Sequence, residues 1–115
     1  MEFTDSLKLN YEFRRAYRKG RSAAEPCLVV YARRNGKAGN RLGFTVSNKL
    51  GCAVLRNRVR RRLREIYRLN ESRLCRGHDV VVVARSRSVG ADYQRLEREF
   101  LRACTELGLV KESET

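Results

Sequence analysis

The segment Val54–Arg68 reads VLRNRVRRRLREIYR and places seven arginines between Arg56 and Arg68 beside one acid, Glu65. With Lys49 included, the stretch from 49 to 68 carries eight cations against that single acid. The chemistry open to such a cluster is the recognition of phosphate. A guanidinium is a planar fork that pairs two phosphate oxygens at once and also stacks on bases. Each phosphate it neutralises releases condensed counterions, which is the main source of nucleic-acid affinity. A solvated helix face ordinarily mixes charge signs to gain i,i+4 pairs. Here neighbouring arginines repel by roughly a few tenths of a kcal/mol per pair, so a polyanionic partner is the stronger reading. The signal does not separate RNA from DNA.

Hydrolytic chemistry finds no carrier. The chain has one histidine, His78, no Ser-His-Asp set and no carboxylate dyad. No catalytic residue is assigned, and the protein alone is expected to have no nuclease activity. Cys27, Cys52, Cys75 and Cys104 are widely spaced with no C-x-x-C. Structural zinc needs clustered ligand pairs, so no metal site is assigned and the thiols read as reduced. The aromatic residues Phe13, Tyr17 and Tyr31 are the remaining candidates, because single-stranded RNA stacks on rings beside basic grooves. On spacing alone, the stronger reading of Phe13 and Tyr17 is as core anchors of a first helix. Phe44 and Phe100 sit in core patterns.

The arginines need a helix to order them. At 100° per residue Leu55, Val59, Leu63, Ile66 and Tyr67 share an arc of roughly 120°, and the predicted helix runs from about Ala53 to Asn70. Arg56, Arg60 and Arg64 follow one flank. Asn57, Arg61 and Arg68 follow the next, and Arg58 and Arg62 the far edge. Before it, Asn10–Lys19 reads as a short helix capped by Asn10 and ended by Gly20. Cys27–Arg34 reads as a strand with Leu28, Val30 and Ala32 toward the core and Val29, Tyr31 and Arg33 on the other face. The glycine-bearing tract Asn35–Asn40 leads to a second strand, Arg41–Asn48, in which Leu42, Phe44 and Val46 alternate with smaller residues. These two strands are expected to form a hairpin. The four valines of His78–Arg85 predict a central strand covered on both faces. A last helix starts at Asp92, carries Leu96, Phe100, Ala103 and Leu107 inward, and ends at Gly108. The strand–helix–strand unit over Arg41–Arg85 predicts a parallel pair. The polar tail Lys111–Thr115 is expected to fray.

One domain accommodates the 115 residues, and the net charge of +13 agrees with a polyanionic partner. The four valines Val80–Val83 and every other apolar run fall far short of a membrane span. The polar, acid-bearing start MEFTDSLKLN is unlike a signal peptide. No membrane partner and a cytoplasmic location are expected.

The stretch LGFTVSNKLGCAVLRNRVRRRLREIYR resembles the signature of the bacterial ribonuclease P protein subunit. The matching positions are Ser47, Lys49, Gly51, Ala53-Val54 and Arg56-Asn57-Arg58. Leu7-Lys8, Glu12-Phe13 and Tyr17–Gly20 resemble the family's first helix, His78–Arg85 its last strand and Tyr93–Leu109 its closing helix. The resemblance implies an α/β (α+β) two-layer sandwich, a single domain over 1–115. It implies a mostly antiparallel four-stranded sheet with three helices, ordered α-β-β-β-α-β-α with a left-handed β-α-β crossover. It implies a monomeric protein in a one-to-one complex with ribonuclease P RNA, acting on precursor tRNA, with Mg2+ held by the RNA that does the chemistry. RNA binding would fall to Lys49, Arg56, Asn57, Arg58, Arg60, Arg61, Arg62, Arg64 and Arg68. A cleft for the single-stranded 5′ leader would use Phe13, Tyr17, Tyr31 and Arg33. Two positions depart from the pattern: Asn48 stands where the family usually has lysine, and Cys52 where a polar residue is common. No contact is assigned to Asn48, and no metal ligand is carried over.

Overall fold

Side-chain alternation along the strands decides which face of the sheet each helix covers. In the computed structural model, which describes residues 1–111, Val80, Val82 and Ala84 point one way and Val81 and Val83 the other. They belong to β5 (His78–Ala84). The first set meets α2 (Ala53–Asn70) and α3 (Tyr93–Glu106) through Val59, Leu63, Ile66 and Tyr67 and through Leu96, Phe100 and Ala103. Tyr67 and Phe100 meet edge to face, with ring centroids 6.2 Å apart. The second set meets α1 (Asn10–Lys19) through Ala16. The helices therefore lie on both faces of the sheet, and the expected two layers become three where α1 sits. A fully buried valine, leucine or phenylalanine contributes about 1.5–3 kcal/mol, so the larger cluster beneath α2 and α3 dominates stability.

The sheet holds five strands, not four. The extra one is β1 (Thr4–Ser6), ahead of α1. Its three residues are short and polar, so nothing in their pattern signals a strand. Backbone pairing creates it: Thr4 to Ser6 run parallel to Asn40 to Leu42 of β4 (Asn40–Thr45). The N-terminal segment is also clamped by the buried Glu71, whose carboxylate accepts the Glu2 and Phe3 amides at 2.8 and 3.3 Å. The remaining strands are β2 (Arg21–Ala24) and β3 (Leu28–Arg34). The order across the sheet is β1-β4-β5-β3-β2. The β1/β4 and β4/β5 pairs are parallel, and β2/β3 and β3/β5 are antiparallel. The sheet is thus mixed rather than mostly antiparallel.

The expected hairpin between β3 and β4 does not form, because β5 inserts between them. Two strand spacings, about 10 Å, separate them, and residues 35–39 bridge the gap. Asn35 ties that loop to the residue ahead of β5 through its backbone amide, which donates to Gly77 O at 2.9 Å. The β4–α2–β5 unit is parallel, as the pattern predicts. Its four-valine strand is central, as expected for a run buried on both faces.

Cap chemistry fits α3, where Asp92 accepts the Arg95 amide at 2.8 Å and Gly108 takes a positive φ of 72° just past the end. It differs at α1. Leu9, not Asn10, is the N-cap, and the carboxylate of Glu12 reaches back to the Lys8 and Leu9 amides at 3.1 and 2.9 Å. Of the polar tail, Lys111 donates its amide to Arg73 O at 2.8 Å; positions 112–115 lie outside the described residues.

Candidate nucleic-acid interface

The turn from β4 into α2 explains three of the signature residues. Ser47 Oγ accepts the Lys49 amide at 3.2 Å and starts a single 3-10 turn over Asn48–Leu50. Gly51 then has φ 143°, a conformation that L side chains rarely adopt. This turn leaves Lys49 exposed beside the start of α2.

Along α2 all the arginines but Arg68 are without a carboxylate partner among the described residues. Arg61, Arg64 and Arg68 are exposed, and Arg56, Arg58, Arg60 and Arg62 are half-buried along their stems. Only Arg68 meets a carboxylate among the described residues, donating through Nε to Glu65 at 3.0 Å. That contact holds the Glu65 carboxyl below its usual range. The others use neutral acceptors: Arg62 donates to Ala91 O at 3.2 Å, Arg60 to Asn57 Oδ1 at 3.3 Å, and Arg56 to Asn48 Oδ1. Asn57 and Asn48 thus orient guanidinium groups. Asn48, given no role from its sequence, aims Arg56. The dry side of α2 is the expected one, with Val59, Leu63, Ile66 and Tyr67 buried.

A groove opens where β1 stops. β1 pairs with β4 only as far as Leu42, so Gly43 to Thr45 have no strand on that edge among the described residues. On the α2 side the groove is walled by Arg60, Arg64, Ser6, Leu7 and Phe44. On the α1 side it is walled by Asn10, Arg14, Tyr17, Thr45 and Val46. Phe13 and Phe44 line both parts. Phe13 can lie over the strand because Gly43 is beneath it: a Cβ there would come within 2.5 Å of the ring. Tyr17 is fixed by a 2.6 Å hydrogen bond between its hydroxyl and Thr45 Oγ1. The ring of Tyr31 meets Tyr17 edge-on at 4.9 Å. Tyr31 thus packs against Tyr17 and does not itself line the two parts of the groove.

Arg33 lies elsewhere, in an ion network at the start of β5. Its Nη1 is 3.9 Å from Asp79, whose side chain is 1% exposed. Arg41 forks onto the same carboxylate, Nε at 2.8 Å and Nη2 at 2.7 Å, and also pairs with Glu12 of α1. Asn35 Nδ2 adds a donor to Asp79 at 3.0 Å. Burial opposes ionisation of Asp79, but the bonds from Arg41 and Asn35 outweigh it and hold the carboxyl below its usual range. This network ties the start of α1 to the sheet and so sets where the groove's upper wall stands.

The sequence reading misses Phe44, which the alternation of β4 assigns to the core; it packs against the core and still lines the groove. It also misses Arg41, Asp79 and Glu12. The signal that existed was Asp79, an acid leading a run of valines. Among the described residues no group of three or more His, Cys, Asp or Glu side chains is placed to hold a metal ion. No helix among the described residues is long and apolar enough to cross a membrane.

A family model described as Ribonuclease P matches residues 1–108. The chain belongs to the ribonuclease P protein family. It is 42% identical over 108 residues to the ribonuclease P protein component of Natranaerobius thermophilus, covering 94% of each chain. To that of Clostridium acetobutylicum it is 43% identical over 106 residues, covering 90% of this chain and 89% of the relative. The RNase P protein of Staphylococcus aureus superposes with a TM-score of 0.84 at 32% identity, covering 92% of this chain and 97% of that one. That of Thermotoga maritima gives 0.78 at 31% identity, covering 85% and 93%. As a ribonuclease P protein component, the chain is a subunit of an endoribonuclease that processes tRNA 5′ ends, and ribonuclease P RNA is its partner.

Proposed function

We propose that the α2 arginines and Lys49 bind the catalytic RNA, and that the groove between α1, β4 and α2 holds the single-stranded 5′ leader of precursor tRNA. The observation that carries this reading is that Arg60 and Arg64, which meet no carboxylate among the described residues, line one groove with the rings of Phe13 and Phe44. Arg60 and Arg64 would neutralise phosphates there, while Phe13 and Tyr17 offer ring surface to unstacked bases. Tyr31 acts by fixing Tyr17. Arg33 acts with Asp79 in placing α1. The protein lowers the cost of bringing two polyanions together and takes no part in bond breaking. Mg2+ held by the RNA supplies the metal-assisted hydrolysis. One monomeric protein per RNA, in the cytoplasm, completes the reading.

Reconstitution tests it. Purified protein added to a bacterial ribonuclease P RNA at low magnesium should restore 5′ trimming. If about six phosphates are neutralised, affinity for the RNA should fall by roughly 10³ between 50 and 200 mM salt. A leader-bearing precursor should bind the holoenzyme more tightly than leaderless tRNA, and Phe13→Ala should narrow that gap. Trimming by nuclease-free protein without RNA, or no preference for the leader, would overturn the assignment.

A further inference from the structure

The outer face of α1 repeats the charge logic of α2 on a smaller scale. Tyr11, Arg14, Arg15, Arg18 and Lys19 fall within an arc of roughly 140° at 100° per residue. Glu12, Phe13, Ala16 and Tyr17 occupy the opposite arc and face the sheet. The helix's one acid, Glu12, is buried and turned inward to Arg41. Its four cations are all exposed, and none is in an ion pair among the described residues. An unneutralised cationic face on a helix of about 15 Å matches a short run of phosphates.

Two further observations decide what kind of anion fits. Tyr11 is 49% exposed, with the Arg15 guanidinium 5.3 Å from its ring centroid. Both are exposed planar groups on which an unpaired base can stack, whereas the bases of a duplex are already stacked on one another. The face is also continuous with the groove, because Arg14 lines the groove's α1 wall and the shallow depression among Tyr11, Arg15, Arg18 and Lys19.

We infer that the outer face of α1 is a second single-stranded RNA surface, taking the leader nucleotides that continue past the groove. This rests on the leader reading above and extends it. The groove sets the affinity for a short leader, and α1 sets the additional affinity for a longer one.

The test uses the holoenzyme and three precursors: leaderless, with a leader that just fills the groove, and with one several nucleotides longer. Arg15→Ala/Arg18→Ala is compared with the natural protein. These side chains are solvated, so thermal unfolding monitored by circular dichroism should be unchanged, and Arg15→Lys/Arg18→Lys should restore part of the effect. The natural protein should bind the long-leader precursor on the order of tenfold more tightly than the short-leader one, as expected from about two single-strand phosphates near 0.1 M salt. The double alanine variant should lose that increment, with a salt slope lower by about 1.4 for the long leader alone. It should keep the preference of short leader over none. No gain from lengthening, a gain that survives the alanines, or a loss equal for all three precursors would overturn the α1 surface while leaving the groove standing. No preference for the short leader over none would instead remove the groove reading beneath it.

Discussion

Arg41→Met tests the ion network that seats α1. In the folded protein Arg41 gives Asp79 a two-point fork at 2.8 and 2.7 Å and also pairs with Glu12. Without it, a carboxylate whose side chain is 1% exposed keeps Asn35 at 3.0 Å and Arg33 at 3.9 Å. Glu12 keeps the Lys8 and Leu9 amides. Removing one partner of a buried pair costs about 3–5 kcal/mol, and the surviving donors place this case at the lower end, about 3 kcal/mol. For a chain of this size that corresponds to a fall in Tm of about 10–20 °C. Urea denaturation followed by circular dichroism measures it. A double-mutant cycle with Asp79→Asn should give a coupling of about 2 kcal/mol. Arg41→Lys, which keeps the charge but not the fork, should fall between. In the holoenzyme, leader preference should drop further than the affinity for ribonuclease P RNA. A loss below about 1 kcal/mol, or no coupling with Asp79, would refute the view that these ions hold α1 in place.

Gly43→Ala should push the Phe13 ring off β4, since a Cβ would sit 2.5 Å from it; weaker leader binding with an overpacking cost of about 1–3 kcal/mol is expected, and unchanged leader binding counts against the placement of Phe13. Glu12, Glu71, Asp79 and Glu99 all have depressed folded pKa values, so their stabilisation is complete above the unfolded carboxylate range and lost as pH falls through the folded values. Stability should therefore decline below about pH 4, and a flat acid-denaturation profile there would contradict it. Cys52 is exposed and its thiol is pulled down by the Leu55 amide at the start of α2, while burial pushes Cys104 up to about 12. Iodoacetamide followed by mass spectrometry should label Cys52 first, and bound ribonuclease P RNA should protect it; equal labelling of the four thiols would disprove the assignment.

Local pattern made the helices and the central strand legible. Asp92 and Gly108 bound α3, an apolar arc defines α2, and four valines mark β5 as central. Pairing was harder to read. Nothing in Cys27–Arg34 or Arg41–Asn48 says that β5 will come between them, because the competition for strand edges is settled by contacts distant in sequence. β1 was invisible because three polar residues become a strand only through the backbone of β4 and the clamp of Glu71. At the site, the arginines announce themselves by charge, whereas spacing reads Phe13 and Tyr17 as core anchors and only the family resemblance places them in the cleft. Alternation misled at Phe44, since a residue on the core face of an uncovered edge strand can meet both core and groove. Arg41 looked like one more cation, and only the fold shows that it is consumed internally while the α2 arginines other than Arg68 are not.

The brevity of β1 has a consequence for the free protein. Gly43 to Thr45 have no strand partner on the β1 side, and an unpaired strand edge is a template for another chain. As it stands the bare stretch is short and bordered by α1. Trimming the N-terminus back to Leu7 would uncover β4 along its full length, Asn40–Thr45, approaching the six or so residues that sustain edge-to-edge stacking. The truncated protein should form larger species by light scattering than the 115-residue chain at the same concentration. The N-terminal strand would then serve as a guard against self-association as well as a wall for RNA.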